Sequence, residues 1–145
     1  MKITNAYTTY EVEPFIKPFG FKGRSLSGGF QIYTVLSCDG EIGLGLGMQS
    51  VLWSDSEVFV RYGEEKSNEM MFRVTEYALS LLRGKSFESP KKMTESLIAP
   101  CLAYAEEVTG MRVTETFVLN ALVSVDLAAW QLYSKLNNIT SFDRI

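Results

Sequence analysis

The feature that most constrains this fold is a helix apolar over much more of its surface than a small domain usually needs. The stretch from Thr114 to Asn138 has helical spacing, with Thr114 placed to cap its amino end. Its apolar side chains cover roughly 220° of the helix, about twice the stripe of a surface helix. The rest is a narrow polar face: Asn120, Ser124, Gln131, Ser134 and Lys135. Two explanations stay open: cover from this chain's own sheet and helices, or a partner outside it, either another subunit or a missing domain.

Two residues of this helix have predicted structural roles. Asp126 lies alone among apolar side chains, where an ionised carboxylate is costly unless it is paired. We therefore expect Asp126 to bind an arginine, a lysine or backbone amides of another segment, and not to act as a catalytic acid. Trp130 is predicted to be a buried anchor.

The first half of the chain predicts an antiparallel sheet. A first strand is expected over Lys2–Val12, and two more flank Asp39-Gly40, the favoured dipeptide for a type I′ hairpin. With Cys38 opposite Glu41, this turn aligns Leu36, Thr34 and Ile32 with three alternate glycines: Gly43, Gly45 and Gly47. Such a trough suits close packing of bulky neighbours or a helix. A phosphate cradle is the weaker reading, because no G-x-x-x-x-G-K motif follows.

The second half predicts three helices. The first runs from about Ser67 or Asn68 to Arg83, before Gly84. The second starts at the Ser89 cap with Pro90 and continues to about Val108, with a kink expected at Pro100. The third is the long helix. The fold class is therefore α+β, one domain over residues 1–145, with a three-stranded antiparallel sheet followed by three helices.

Composition excludes several classes of function. A net charge of −3 and a pI near 5.0 argue against binding nucleic acid or an anionic membrane. The chain has no histidine, which removes His-based triads and His metal clusters. Two cysteines favour a reducing cytoplasm, and neither a secretory signal nor a membrane span is expected.

The helix sequence resembles that of a known family. The residues from Asn120 to Lys135 read NALVSVDLAAWQLYSK. They resemble the last helix of the amino-terminal capping domain in the enolase superfamily, in its mandelate racemase and muconate lactonizing branch. The initial MKI strand, the Asp-Gly hairpin and GLGLG resemble upstream parts of that domain. Leu44, Leu46 and Gln131 depart from the commonest residues of the branch at these positions.

This resemblance implies that the chain is one part of a longer enzyme. Members of the branch abstract a proton α to a carboxylate and stabilise the enediolate with Mg²⁺ bound by a (β/α) barrel. The catalytic barrel is absent from this chain and would begin at TSFDRI, Thr140–Ile145. We therefore expect no catalytic or metal residue here, a barrel domain as partner, and a homo-oligomer. The implied activity is that of an acid-sugar dehydratase, or of a racemase or epimerase.

Two loops are the parts of such a domain that close over a small carboxylate or acid-sugar substrate. They would be Pro14–Gly29, where cations and aromatic rings suit an anion, and Gly47–Glu57. The candidate substrate-binding residues are Lys17, Phe19, Lys22, Arg24 and Trp53. The alternatives are a solvated basic loop, and a core position for Trp53. For the whole chain, the alternatives are a stand-alone binding module for small anions and an oligomerisation domain.

Overall fold

The computed structural model describes residues 1–140, which form a three-stranded antiparallel sheet followed by helices. The strands, in sheet order, are β1 (Asn5–Phe21), β2 (Arg24–Cys38) and β3 (Glu41–Gln49). The helices are α1 (Val51–Ser54), α2 (Ser56–Tyr62), α3 (Glu64–Leu82), α4 (Pro90–Thr109) and α5 (Glu115–Leu136). The predicted α+β class, the sheet and the three long helices are confirmed. The resemblance predicts the start of a barrel at Thr140–Ile145. Of these residues only Thr140 is described by the structure.

The hairpin between β2 and β3 has the predicted turn and register. Asp39 and Gly40 have φ angles of 51° and 83°, and two positive angles in succession define the type I′ class. Cys38 lies opposite Glu41, so the three glycines of β3 face Leu36, Thr34 and Ile32. The two-residue turn thus determines which side chains of these strands reach the core.

Helix α5 lies directly on the glycines of β3. A Cβ atom at Gly45 would overlap the carbonyl oxygen of Ser124 and lie 2.5 Å from the Ala128 nitrogen. One at Gly43 would lie 2.7 Å from Leu132 Cβ. Because no strand side chain separates the two backbones, the helix and strand approach each other at backbone distance. The close-packing interpretation of the glycines is confirmed.

The polar face of α5 is turned toward the sheet and its open edge, unlike that of most amphipathic helices: Asn120 and Ser124 are buried, and Gln131 and Lys135 are exposed at the edge. Asn120 spans the end of β3: its Oδ1 accepts from the Ser50 N–H (2.9 Å) and its Nδ2 donates to the Met48 carbonyl (3.1 Å). These bonds satisfy backbone groups on the edge of the sheet, which no neighbouring strand covers among residues 1–140. Two further bonds lie along the same edge: Leu44 N to Gln131 Oε1 (2.6 Å) and Lys135 Nζ to Ile42 O (2.6 Å).

Most of the apolar surface of α5 is covered by the chain itself. The sheet, α3 and α4 all contact it, and Phe117, Val118, Val125 and Leu132 are among its buried residues. By length and composition α5 could also cross a membrane, but more than half of its most apolar segment is buried in this fold. An exposed apolar strip remains on α5, formed by Leu119, Val123 and Leu127.

The predicted environments of Asp126 and Trp130 were wrong. Asp126 is half-buried, and its Oδ1 accepts a hydrogen bond from Thr94 Oγ1 of α4 (2.7 Å), not from a cation or a backbone amide. A hydroxyl is a sufficient partner because water reaches this carboxylate. Trp130 lies one turn further along the same side of α5 and is also half-buried, with its ring edge-to-face against Tyr133. Both residues therefore lie at the margin of the core and not inside it.

The chain between β3 and α3 is helical, although the sequence predicted a loop over Gly47–Glu57. Asp55 is buried and starts α2 by accepting from the N–H groups of Glu57 and Val58. Helix α3 begins at Glu64, ahead of the predicted Ser67, with Gly63 (φ 79°) between the two helices. The predicted caps Ser89 and Thr114 are confirmed, and Pro100 lies inside α4 as expected.

Gly45→Ala should destabilise the fold by about 3 kcal/mol, because the new methyl group would force α5 away from β3. Gly20→Ala is the matched control, since its Cβ would meet nothing closer than 4.0 Å. It should change the unfolding free energy by less than about 0.5 kcal/mol. Urea denaturation followed by circular dichroism measures both values. Equal effects of the two substitutions would contradict the backbone contact.

Candidate functional site

The segment Pro14–Gly29 is a β-hairpin arm, so its prediction as a loop was wrong. Strands β1 and β2 pair up to Pro14, shift register, and pair again from Phe19 to the tip. At the tip, Lys22 and Gly23 have φ angles of 48° and 69°, which gives a second hairpin turn with two positive angles. The backbone pairing makes this arm an ordered extension of the sheet.

The tip of the arm is bonded to α1. The Lys22 ammonium donates to the carbonyl oxygens of Leu52 (3.4 Å) and Trp53 (3.1 Å), near the carboxyl end of that short helix. Carbonyl groups at such an end lack intrahelical donors and attract a cation. The ammonium of Lys22 is therefore used inside the domain.

The base of the arm is bonded to the start of α3. The Glu64 carboxylate accepts from the Ser27 N–H (2.9 Å), from the Ser27 hydroxyl (2.8 Å) and from the Gly28 N–H (3.3 Å). These are charge-assisted bonds, the stronger class of hydrogen bond. The arm is thus attached to helices at its tip and at its base.

A concave pocket of about 490 Å³ lies between the arm and α1. Its lining residues are Phe15, Phe19, Phe21, Leu26, Met48, Ser50 and Trp53. The rings of Phe19 and Phe21 stack with their centroids 6.5 Å apart. Phe19 and Trp53 are 56% and 55% exposed, so the alternative of a core position for Trp53 was wrong. Large apolar rings that remain exposed around a concavity are typical of a binding surface.

The structure brings together some of the predicted site residues and separates others. Phe19 and Trp53 line the same pocket, with Lys22 bonded beside Trp53. Lys17 and Arg24 are exposed on the arm and do not line the pocket. Substrate binding by these five residues stays a prediction.

Sequence reasoning missed the contributions of Leu26, Met48 and Ser50 to this pocket. A signal for part of it was present, because Phe19 and Phe21 alternate just before the Lys22-Gly23 turn. Alternating residues of a strand share one face, so a hairpin reading would have placed both rings on the same side. The approach of Met48 and Ser50 depends on how β3 leads into α1, which no local pattern shows.

The pocket is lined almost entirely by apolar side chains, and its lining offers no acid or base. None of its lining side chains titrates in the physiological range. Among residues 1–140, no three cysteine, aspartate or glutamate side chains are grouped so that they could hold a metal ion. The described part of the chain therefore does not fit a Mg²⁺ site.

The two cysteines are unsuited to act as nucleophiles. Cys38 and Cys101 are buried free thiols. Burial raises the pKa of both, that of Cys101 from 9.0 to about 11. A thiol that stays protonated and is shielded from solvent is a packing group.

Comparison with known proteins identifies the fold. No family model matches the sequence, and neither does any curated protein. Among solved structures, a mandelate racemase/muconate lactonizing protein from Herpetosiphon aurantiacus matches 94% of this chain at 14% identity, with a TM-score of 0.61. The N-succinyl Arg/Lys racemase of Bacillus cereus matches 94% at 22% identity and a TM-score of 0.58. A dipeptide epimerase of Enterococcus faecalis, complexed with Mg and the dipeptide L-Leu-L-Tyr, matches 94% at 13% identity and a TM-score of 0.57.

These matches confirm the fold that the resemblance predicted. The chain covers 32%, 31% and 32% of those three proteins, respectively, so it spans about a third of their length. It shares its fold with about a third of these mandelate racemase/muconate lactonizing-type proteins' length, and the described residues contain no barrel.

Lys22→Met should release the tip of the arm from α1, because the substituted side chain cannot donate to the two carbonyl groups. Backbone ¹⁵N relaxation should show order parameters around Gly23 falling from about 0.85 toward 0.6 or below. Lys17→Met is the matched control on the same arm and should leave these values unchanged. An equally ordered tip in both variants would show that the Lys22 bonds do not hold the arm.

Cys101 should make the protein less stable in alkali. Its thiol ionises near pH 9 in the unfolded chain and only near pH 11 in the folded one. The contribution of the protonated thiol to the free energy of unfolding is therefore fully present below pH 9. About 2–3 kcal/mol of it is lost as the pH rises to 11. Denaturation at several pH values should show a shallower alkaline loss in Cys101→Ala. Identical pH slopes for the two proteins would contradict this.

Proposed function

We propose that this chain is the capping domain of a longer Mg²⁺-dependent enzyme that abstracts a proton α to a carboxylate. The observation that carries the proposal is the apolar pocket between the arm and α1. The chain that contains this pocket has the fold of about a third of the length of a solved racemase and a solved epimerase. In this proposal the arm and α1 close over the substrate. The catalytic groups belong to the barrel.

The construction of the arm supports a closing role. Its base is held by charge-assisted bonds from three donor groups to Glu64, whereas its tip is held by the Lys22 bonds and by the packing of Phe21 and Leu26 against the core. Such an element can open at the tip and remain anchored at the base. Closure of an apolar cover excludes water from a reacting centre and completes the substrate site.

A racemase or epimerase is the first candidate activity, because solved proteins with this fold carry those names. An acid-sugar dehydratase remains the second. Mg²⁺ would be held by residues outside this chain and would supply charge stabilisation to the enediolate. This domain would bind the substrate, orient it and shield it from water.

An open apolar surface supports a further domain as partner. Ile42, Leu44, Leu46 and Met48 of β3 are exposed on the sheet face opposite α5. The strip on α5, Leu119, Val123 and Leu127, is exposed as well. Exposed apolar surface of this extent is typical of an interaction site. We assign this surface to contacts with the barrel domain of the longer protein and to contacts within a homo-oligomer. We also assign the protein to the cytoplasm, because free cysteines are common there.

The two alternative functions account for fewer of these observations. A stand-alone anion-binding module would need cations at its pocket, but Lys22 is bonded to carbonyl groups, and Lys17 and Arg24 lie elsewhere. An oligomerisation domain would explain the exposed strip on α5, but not the exposed rings between the arm and α1. Neither alternative explains why an ordered hairpin arm is directed at α1.

The product of the reading frame extended beyond Ile145 should exchange the α-proton of small carboxylates for deuterium in D₂O when Mg²⁺ is present, as measured by proton NMR. Chelation of Mg²⁺ should abolish the exchange, and residues 1–145 alone should show none. A reading frame without barrel sequence, or exchange by residues 1–145 alone, would contradict the proposal.

Residues 1–145 should also lack a tight Mg²⁺ site, because the described residues provide no group of metal ligands. Isothermal titration calorimetry measures this directly. Stoichiometric binding at micromolar Mg²⁺ would contradict the assignment of the metal to the rest of the protein.

A further inference from the structure

The lining of the pocket indicates which chemical group it can accept. Four of its seven lining residues are aromatic, two are aliphatic or thioether side chains, and Ser50 alone has a polar side chain. The volume of about 490 Å³ is within the range of small-molecule sites, large enough for an aromatic ring or a branched aliphatic chain. The surface is therefore suited to a group that gains from leaving water.

The cations of the arm do not change this character. The Lys22 ammonium is bonded to the carbonyl oxygens of Leu52 and Trp53. Lys17 and Arg24 do not line the pocket. The Ser50 N–H is also taken, since it donates to Asn120 Oδ1. A carboxylate or a row of hydroxyl groups buried here would lose its water and find almost no partner, which is unfavourable.

We propose that this pocket binds the apolar or aromatic side chain of the substrate, so that the substrate class is a small carboxylate with an apolar side chain and not an acid sugar. This inference rests on the proposed function, because it names the substrate of the same site. The carboxylate and the α-carbon would lie toward the barrel. The rings of Phe19 and Trp53, which are the most exposed in the pocket, contact the side chain directly.

The test uses residues 1–145 and three probes: 3-phenylpropionate, propionate and gluconate. In ¹H–¹⁵N spectra, 3-phenylpropionate should shift the indole N–H signal of Trp53 in a saturable way. Propionate lacks the ring, and gluconate replaces it with hydroxyl groups, so neither should shift that signal. The indole of Trp130, on α5 and outside the pocket lining, serves as an internal reference.

Two arm variants show whether the shift reports the pocket. Phe19→Ala removes a lining ring that is half exposed, so the fold should persist, and the affinity for 3-phenylpropionate should fall about tenfold. Ile16→Ala is the matched control, because Ile16 is fully exposed on the same arm and does not line the pocket. The Ile16→Ala variant should bind 3-phenylpropionate with the same affinity as the parent chain.

Three outcomes would overturn the inference: no saturable shift with 3-phenylpropionate, a stronger shift with gluconate, or equal loss of affinity in both variants. None of them contradicts the proposed function by itself, since that function is tested by proton exchange and by barrel sequence in the longer protein. Conversely, saturable binding of 3-phenylpropionate by a protein whose reading frame lacks a barrel would confirm the apolar preference of the pocket and contradict the proposed function.

Discussion

The structure depends on the backbone contact between helix α5 and strand β3. With glycine at alternate positions, the strand presents a surface without side chains, and the helix lies on it at backbone distance. At this distance the polar residues of α5 reach the edge of the strand and bond to its backbone groups. The same contact therefore explains why the polar face of α5 is directed at the sheet and its edge. An apolar helix on a strand with large side chains would leave that edge unpaired.

This contact also positions the candidate site. Asn120 of α5 bonds to Met48 and Ser50, where the chain leaves β3 and enters α1. At the other end of the connection, Asp55 accepts from the Thr114 N–H (2.8 Å), and the Thr114 hydroxyl donates to the Ser54 carbonyl (2.8 Å). Helix α1 is thus bonded to the first turns of α5 on both sides. Trp53 is held opposite the arm because α5 holds the backbone around it.

The site separates binding from chemistry. In the proposed function its rings shelter the substrate and select its side chain, while its lining contains no acid or base and the described chain contains no group of metal ligands. A cover of this kind contributes to a reaction by excluding water and orienting the substrate over groups supplied elsewhere. The arm resembles a hinged element, since its base is bonded more strongly than its tip.

The sequence by itself determined features set by a few neighbouring residues. The Asp39-Gly40 turn, the register of β2 and β3, the Ser89 and Thr114 caps and the glycine surface follow from local backbone preferences, and the motif in α5 indicated the fold. The tertiary structure alone decided the direction of the polar face of α5, the partner of Asp126, and the arm, whose alternation is interrupted between Pro14 and Phe19. It also decided that Lys22 bonds to Trp53, 31 residues away. Such contacts depend on how whole elements pack, because the energy that selects them comes from surfaces that local sequence does not bring together.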